Sequence, residues 1–345
     1  MTYQREANTR LKIAVVGVGS HCYRNILPAL TYLPVDLTAL CDVNEDLVRA
    51  TAKQYGSCSY YTSTKEMYER EQLDAVLLAV SPFKHPELAI EAFQAGVHVW
   101  MEKPAAVRTS EVERMLEQRG DRQAMVGYKK MFMPSTDKVL EVLNSSQFDA
   151  LNSMLAIYPM AMPANGREVL EQRQFQNWLG NGCHPLSLML AAGGAVSAVT
   201  THVGSKGHGT VLLDFANGIT GNFHLASGPH PIESYHFYGG HWHLEIDNSL
   251  KVTLQRGIPF KYGYTTSYIP EGIESGAIVW EPQNCLATLE NKALFTQGVY
   301  GELRYFCDCL LENRTVERGS LEFTLGLMKV YEAALISEGK TIYLD

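Results

Sequence analysis

Long apolar runs are missing from this sequence: the longest are about six residues, against the roughly 20 that a membrane-spanning helix needs. The N-terminal MTYQREANTR is polar and charged, and no apolar stretch behind it is long enough for a secretory signal. Excess positive charge is missing too. With 29 Lys and Arg against 37 Asp and Glu, the net charge is −8, so no global field draws in nucleic acid or an anionic membrane. Paired cysteines are absent. The seven thiols (Cys22, Cys41, Cys58, Cys183, Cys285, Cys307 and Cys309) are odd in number and scattered, with no C-x-x-C, a pattern expected of buried, reduced thiols in a cytosolic protein. There is no internal repeat and no low-complexity stretch. The chain is therefore expected to be soluble and cytoplasmic, with no nucleic-acid or membrane partner, and to handle small diffusible molecules.

What is present is ordinary globular composition, 46% hydrophobic and 19% charged, over 345 residues, a length that suggests two domains. Up to Tyr128, short apolar runs alternate with amphipathic segments. Lys12–Gly19, Val35–Asp42, Ala75–Ser81, Val97–Lys103 and Gln123–Tyr128 are predicted strands. Ile26–Tyr32, Glu45–Tyr55, Pro86–Ala95 and Ser110–Arg119 are predicted helices, the last capped by Thr109 or Ser110. This grammar predicts an α/β domain over residues 1–127, with a parallel sheet covered on both faces. From Ala150 to about Thr266 strand-like runs follow one another, with hairpin turns expected at Ala216–Gly218 and Asp247–Ser249. Helices are expected at Ser135–Leu143, His184–Ala192, Tyr300–Leu311 and Leu321–Ser337. Residues 128–345 thus read as an α+β domain with an open, mainly antiparallel sheet.

The first strand runs into Gly17-Val18-Gly19-Ser20-His21-Cys22. Glycine at 17 permits a tight turn, and glycine at 19 lets a pyrophosphate approach the backbone at a helix N-terminus. The third small position of such a turn is Cys22 here. Asp42 closes the second strand 23 residues after Gly19, the spacing at which a carboxylate accepts from adenosine ribose hydroxyls. Asp42 would repel a 2′-phosphate, and no Arg precedes Arg49, so NAD is expected over NADP. The fourth long strand ends in Trp100-Met101-Glu102-Lys103-Pro104. A lysine at the C-terminal edge of a parallel strand points into the crevice where such sheets bind ligands. There an ammonium can hydrogen-bond a reacting hydroxyl and lower its pKa.

Three stretches carry a resemblance: KIAVVGVG with CDVNED; AVLLAVSPFKHPELAIEAFQAGVHVWMEKPAA; and GNGCHPLSLML. Together they resemble the glucose–fructose oxidoreductase / inositol dehydrogenase / MocA family, with weaker similarity over essentially the whole chain. The resemblance implies an N-terminal Rossmann domain, a C-terminal open-faced sheet for substrate binding and oligomerisation, and NAD(P)-dependent hydride transfer at a hydroxyl carbon of a sugar, polyol or nucleotide-sugar. It makes Lys103 the catalytic lysine and His184 the proton acceptor. It puts Gly17, Gly19, Ser20, His21, Asp42, Ser81, His85, Glu102 and Lys103 against the cofactor, and Asn181, Tyr158 and His230 near the substrate. The family's usual aspartate four residues before the histidine is Gly180 here. The resemblance leaves two other readings open, an NAD-retaining glycoside hydrolase and a non-catalytic dinucleotide-binding regulator. A homodimer or homotetramer is expected through the exposed sheet face. His241 and His243 share a strand face, but no third ligand is spaced to make a metal site with them, so none is expected.

Overall fold

The structure, a computed structural model, describes residues 7–56, 59–229, 233–257, 276–281 and 292–344. His230, Cys58 and Cys285 lie outside the described residues. Two compact units are present: Met1–Lys129 with Gln172–Phe175 and Ala293–Lys329, and Lys130–Glu171 with Gln176–Lys292 and Val330–Asp345.

The first unit is built from β1 (Leu11–Val16), α1 (Leu27–Leu30), β2 (Val35–Cys41), α2 (Glu45–Tyr55), β3 (Ser59–Tyr61), α3 (Thr64–Arg70), β4 (Ala75–Leu78), α4 (His85–Gln94), β5 (His98–Glu102), α5 (Thr109–Gln118) and β6 (Ala124–Gly127). Its six strands are all parallel, in the order β3-β2-β1-β4-β5-β6. β4 and β6 are buried at every residue, which is why they read as unbroken apolar runs.

Three local readings are corrected. The first helix begins at Ser20, not Ile26. Its early turns carry exposed His21, Tyr23 and Arg24, and only Cys22 and Ile26 face inward, through a π turn in which Leu27 N–H donates to Cys22 O. The edge strand β3 and helix α3 were not expected; β3 is three residues long and largely exposed, so it offers no apolar run. α5 is capped neither by Thr109 nor by Ser110: Arg108 is its N-cap, and the Glu111 carboxylate accepts from Val107 and Arg108 N–H at 3.0 Å each.

The second unit contains α6 (Pro134–Leu143), β7 (Ser153–Pro159), α7 (Gly166–Glu171), α8 (Asn177–Gly180), α9 (Cys183–Gly193), β8 (Val196–Val203), β9 (Gly209–Phe215), β10 (Thr220–Ala226), β11 (Ser234–Tyr238), β12 (Trp242–Asp247), β13 (Lys251–Arg256), β14 (Gly276–Trp280) and β15 (Ile342–Tyr343). Its nine strands run β14-β13-β12-β11-β7-β10-β9-β8-β15. Every neighbouring pair is antiparallel except β7 with β10. One face of the sheet is buried, through Met154, Tyr158, Phe223, Tyr235, Leu244 and Leu254. The expected hairpins are present. Gly218 (φ 86°) closes the first, and Asn248 and Ser249 (φ 48° and 68°) form the second in the left-handed conformation that matches strand twist.

The last helices are α10 (Lys292–Thr296), α11 (Val299–Leu311) and α12 (Leu321–Ile336). α11, although it follows the second unit's sheet in sequence, belongs to the first unit. Among the described residues no helix is long and apolar enough to cross a membrane.

Candidate active site

In the first unit the chain leaves β1 for β2 on one side and later returns to β4 on the other. A crevice for ligands opens at such a switch point, beyond the C-terminal strand ends. Gly17 follows β1 there, with φ +87°, and a Cβ on it would lie 2.4 Å from Ala79 O and 2.7 Å from Val80 Cγ1. Only glycine satisfies both the backbone angle and the approach of the chain leaving β4. Gly19 differs: a Cβ there would meet nothing within 4 Å. The space beside Gly19 and exposed Ser20 is thus free for a ligand's phosphates at the opening turn of a helix.

Asp42, half-buried at the end of β2, is held in place by backbone. Its Oδ2 accepts from Val18 N–H and its Oδ1 from Asn44 N–H, both at 2.9 Å. Asn44 is itself engaged, its Oδ1 accepting from Leu47 N–H at 3.0 Å to cap α2. A glycine turn with open space before it, fixed to a carboxylate at the next strand end, fits the pyrophosphate and ribose of a dinucleotide. Cys22 fills the third small position; it is 1% exposed, and burial, reinforced by Glu102 and Asp42, pushes its thiol up to about 12. It is a packing residue.

β5 delivers Glu102 and Lys103 to the same strand ends, both half-buried, with a cis bond between Lys103 and Pro104. Glu102 Oε1 lies 2.8 Å from His21 Nε2, and its Oε2 accepts from Lys103 N–H at 3.2 Å. Ser81 is exposed after β4, its carbonyl accepting from Lys84 N–H at 2.8 Å. His85, expected to contact the cofactor, has no accessible surface in the structure. Its Nδ1 lies 3.0 Å from Pro104 O, so it braces the turn that follows Lys103. Burial pushes the imidazole down to about 4, against the opposing pull of the Pro104 carbonyl. Its place in the core is the physical reason it offers a ligand no surface.

One residue that sequence reasoning did not single out joins this group. Glu302 on α11 is 1% exposed, and its Oε2 has no hydrogen-bond partner among the described residues. Burial pushes its carboxyl far above the usual carboxylate range; the Glu102 charge pushes the same way, while Lys129 and Lys103 pull it down. In the structure Glu302 falls on the buried stripe of Val299, Leu303 and Phe306, where apolar residues are expected.

In the second unit His184 lies in the first turn of α9 and is 5% exposed. Its backbone N–H donates to Asn181 O at 3.1 Å, and its carbonyl accepts from Ser187 Oγ at 2.8 Å. Asn181, half-buried, donates through Nδ2 to Asn177 Oδ1. Gly180 is buried at the end of α8. Tyr158, 5% exposed near the end of β7, has its hydroxyl pushed up to about 12 by burial, then by the charges of Glu233 and Cys183. Glu168 and Glu171 are exposed. The second unit's buried acid is Glu233, held by Lys130, Ser249 and, at 2.6 Å, the Tyr235 hydroxyl. His243 is stacked on His236 and Tyr238 at 5.3 and 4.6 Å; among the described residues no three His, Cys, Asp or Glu gather as metal ligands.

Residues 11–129 match the model of the GFO_IDH_MocA family, an oxidoreductase family with an NAD-binding Rossmann fold. Myo-inositol 2-dehydrogenase of Thermotoga maritima is 29% identical over 143 residues, 39% of this chain and 41% of that protein. The first such curated relatives are matched over less than half their length. dTDP-3,4-didehydro-2,6-dideoxy-alpha-D-glucose 3-reductase of Saccharopolyspora spinosa is 24% identical over 264 residues, 69% of this chain and 75% of that one. Among solved structures, an oxidoreductase from Agrobacterium radiobacter in complex with NAD+, L-tartaric acid and magnesium superposes with a TM-score of 0.79 at 19% identity, covering 97% of this chain and 98% of that one. The glycine turn, Asp42 and the β5 end all lie within the matched stretch, so residues 11–129 are similar to the GFO_IDH_MocA oxidoreductases in their NAD-binding Rossmann part.

Proposed function

We propose that the protein is an NAD-dependent dehydrogenase that moves a hydride to or from a hydroxyl carbon of a sugar, polyol or nucleotide-linked sugar. The observation that carries this reading is Lys103, half-buried at the C-terminal end of β5 in the unit that holds the glycine turn and Asp42. Bound at that turn, NAD supplies the hydride acceptor. Lys103 donates a hydrogen bond to the reacting hydroxyl and stabilises the negative charge that develops on its oxygen. His184 takes the hydroxyl proton, with no carboxylate at Gly180 to hold its ring. Asn181, Tyr158 and His230 bind neighbouring substrate hydroxyls. Ser20, His21, Ser81 and Glu102 face the cofactor, and His85 supports Lys103 from behind. The named substrates of the relatives, an inositol and a nucleotide-linked sugar, support a polyhydroxylated substrate.

In this reading residues 1–127 bind the dinucleotide and residues 128–345 bind substrate and a second copy of the chain in the cytoplasm. The unburied face of the nine-stranded sheet supports self-association into a dimer or tetramer: Leu212, Tyr238 and Val279 are 39%, 37% and 52% exposed on it, and an uncovered apolar sheet face is an association site. NAD is preferred because Asp42 faces the ribose position, and Val43, Asn44, Glu45 and Asp46 bring no cation to a 2′-phosphate. Calorimetric titration with both cofactors is expected to give tighter NAD(H) binding, with the difference narrowed in Asp42→Ser; equal or tighter NADP(H) binding contradicts it. A panel of sugars, inositols and nucleotide sugars assayed for NADH formation at alkaline pH tests the activity, and absence of NADH with every member would count against a dehydrogenase.

A further inference from the structure

His21 and Glu102 take no step in the reaction above, yet their side chains join two separate parts of the first unit. His21 stands in the first turn of the helix that follows the glycines, and Glu102 ends β5. His21 Nε2 lies 2.8 Å from Glu102 Oε1. Asn25, one turn along the same helix, fixes the sense of that bond: its Nδ2 lies 3.3 Å from His21 Nδ1 and 3.2 Å from His21 O. An amide nitrogen only donates, so Nδ1 accepts and the ring proton sits on Nε2, which donates to the carboxylate. The other carboxylate oxygen accepts from Lys103 N–H at 3.2 Å, so the group lies down against the backbone of the strand end.

The strand order β2-β1-β4-β5 puts the end of β4 between the two residues. Neighbouring strands stand about 4.8 Å apart, so the pair bridges two strand spacings, roughly 10 Å. Backbone fills the level beneath it, because the chain leaving β4 comes close enough to put Ala79 O 2.4 Å from a Cβ on Gly17. A dinucleotide follows the same line. With its adenosine at Asp42 on β2 and its pyrophosphate beside Gly19, its other half leaves on the β4 side and reaches Lys103 over the end of β5. The His21–Glu102 bond and the nicotinamide ribose therefore claim one place. His21 is the member that can swing away, since its side chain is 54% exposed and that of Glu102 12%.

We propose that His21 is a latch on the cofactor crevice, which competes with the nicotinamide half of NAD for Glu102 and opens to admit it. Glu102 exchanges one donor, the imidazole N–H, for another, a ribose hydroxyl, so the competition is modest rather than prohibitive. Asn25 sets the ring in the closed position. A protein whose latch must open binds as though only its open fraction were present, which lowers affinity by that fraction. Such a device favours release of the cofactor after each turnover. It suits a dehydrogenase that exchanges NAD rather than a protein that retains it. The proposal rests on the reading that the glycine turn holds NAD.

The test is NAD binding to the full chain, with affinity read by calorimetry and rates by stopped-flow NADH fluorescence. In His21→Ala the affinity is expected to rise by about two- to fivefold, the size of one exposed pair. The gain is expected in the association rate, with dissociation near the wild-type value. Substitutions in a binding site usually act on dissociation instead, and a residue that merely supports the fold does not tighten binding when removed. Unchanged affinity in His21→Ala overturns the proposal, and so does weaker binding through faster dissociation, which would make His21 a direct ligand of the cofactor. Should that variant fail to fold, Asn25→Ala decides, since it keeps His21 but releases its ring: faster association is expected, and an unchanged rate overturns the proposal. Absence of binding to the wild-type protein would remove the NAD reading and the latch with it. Binding that His21→Ala fails to improve removes the latch alone.

Discussion

At the scale of single residues, the two glycines of the first turn do different work, and substitution separates them. Alanine at Gly17 must adopt a φ of +87° and place its methyl 2.4 Å from a backbone oxygen; backbone strain of that kind costs on the order of 1–3 kcal/mol before the clash is counted. Gly17→Ala is expected to lower the thermal midpoint and to abolish NAD binding with it. Alanine at Gly19 meets nothing within 4 Å, so Gly19→Ala should melt within a degree or two of wild type yet bind NAD at least tenfold more weakly. Equal affinity in Gly19→Ala and wild type, by calorimetry, would mean that the open space is not where the pyrophosphate lies. Both glycines were legible in the sequence, because a strand, a turn and a helix leave a spacing that survives without coordinates. Glu302 was not. A lone glutamate in an apolar helix has no local pattern, and its neighbours Glu102 and Lys103 are about 200 positions away in the chain.

One helix with clear start and stop signals was read to the residue, and several elements with weaker signals were missed. α2 spans Glu45–Tyr55 as expected, since Asn44 caps it and Gly56, with φ 74°, ends it. The π turn at Cys22–Ile26, the three-residue β3 and the short helices α7 and α8 carry neither a cap signature nor an apolar period. Tertiary packing decides them, and a sequence window cannot see it. The cap of α2 also bears on the site, because Asn44 N–H binds the Asp42 carboxylate at 2.9 Å. Asn44→Ala is expected to cost about 1 kcal/mol in denaturant unfolding and to weaken NAD binding modestly through Asp42. Full stability in that variant would show that the bond to Leu47 N–H contributes nothing measurable.

Over the whole molecule, the change from βα alternation to consecutive strands correctly announced two sheets of different kind. Sequence order could not reveal that α11 belongs with the first of them, because helix periodicity says which face is buried but not against what. The pH dependence of stability is a property at this scale to which His85 contributes a defined share. Its imidazole is held near 4 in the folded protein and titrates near 6.5 when unfolded. Between those values the unfolded chain binds the proton and the folded one does not. Its contribution is therefore complete above about pH 6.5 and is lost as the pH falls toward 4, by about 3 kcal/mol in all. Denaturant unfolding across that window should show this slope in wild type and a shallower one in His85→Gln; parallel curves would indicate an imidazole that is not desolvated. The account as a whole turns on Lys103. Once the panel supplies a substrate, Lys103→Ala should lose about 100- to 10,000-fold in kcat, with the Kd for NAD within a few-fold of wild type. Wild-type turnover in that variant, or loss of NAD binding on the same scale as loss of rate, would contradict it.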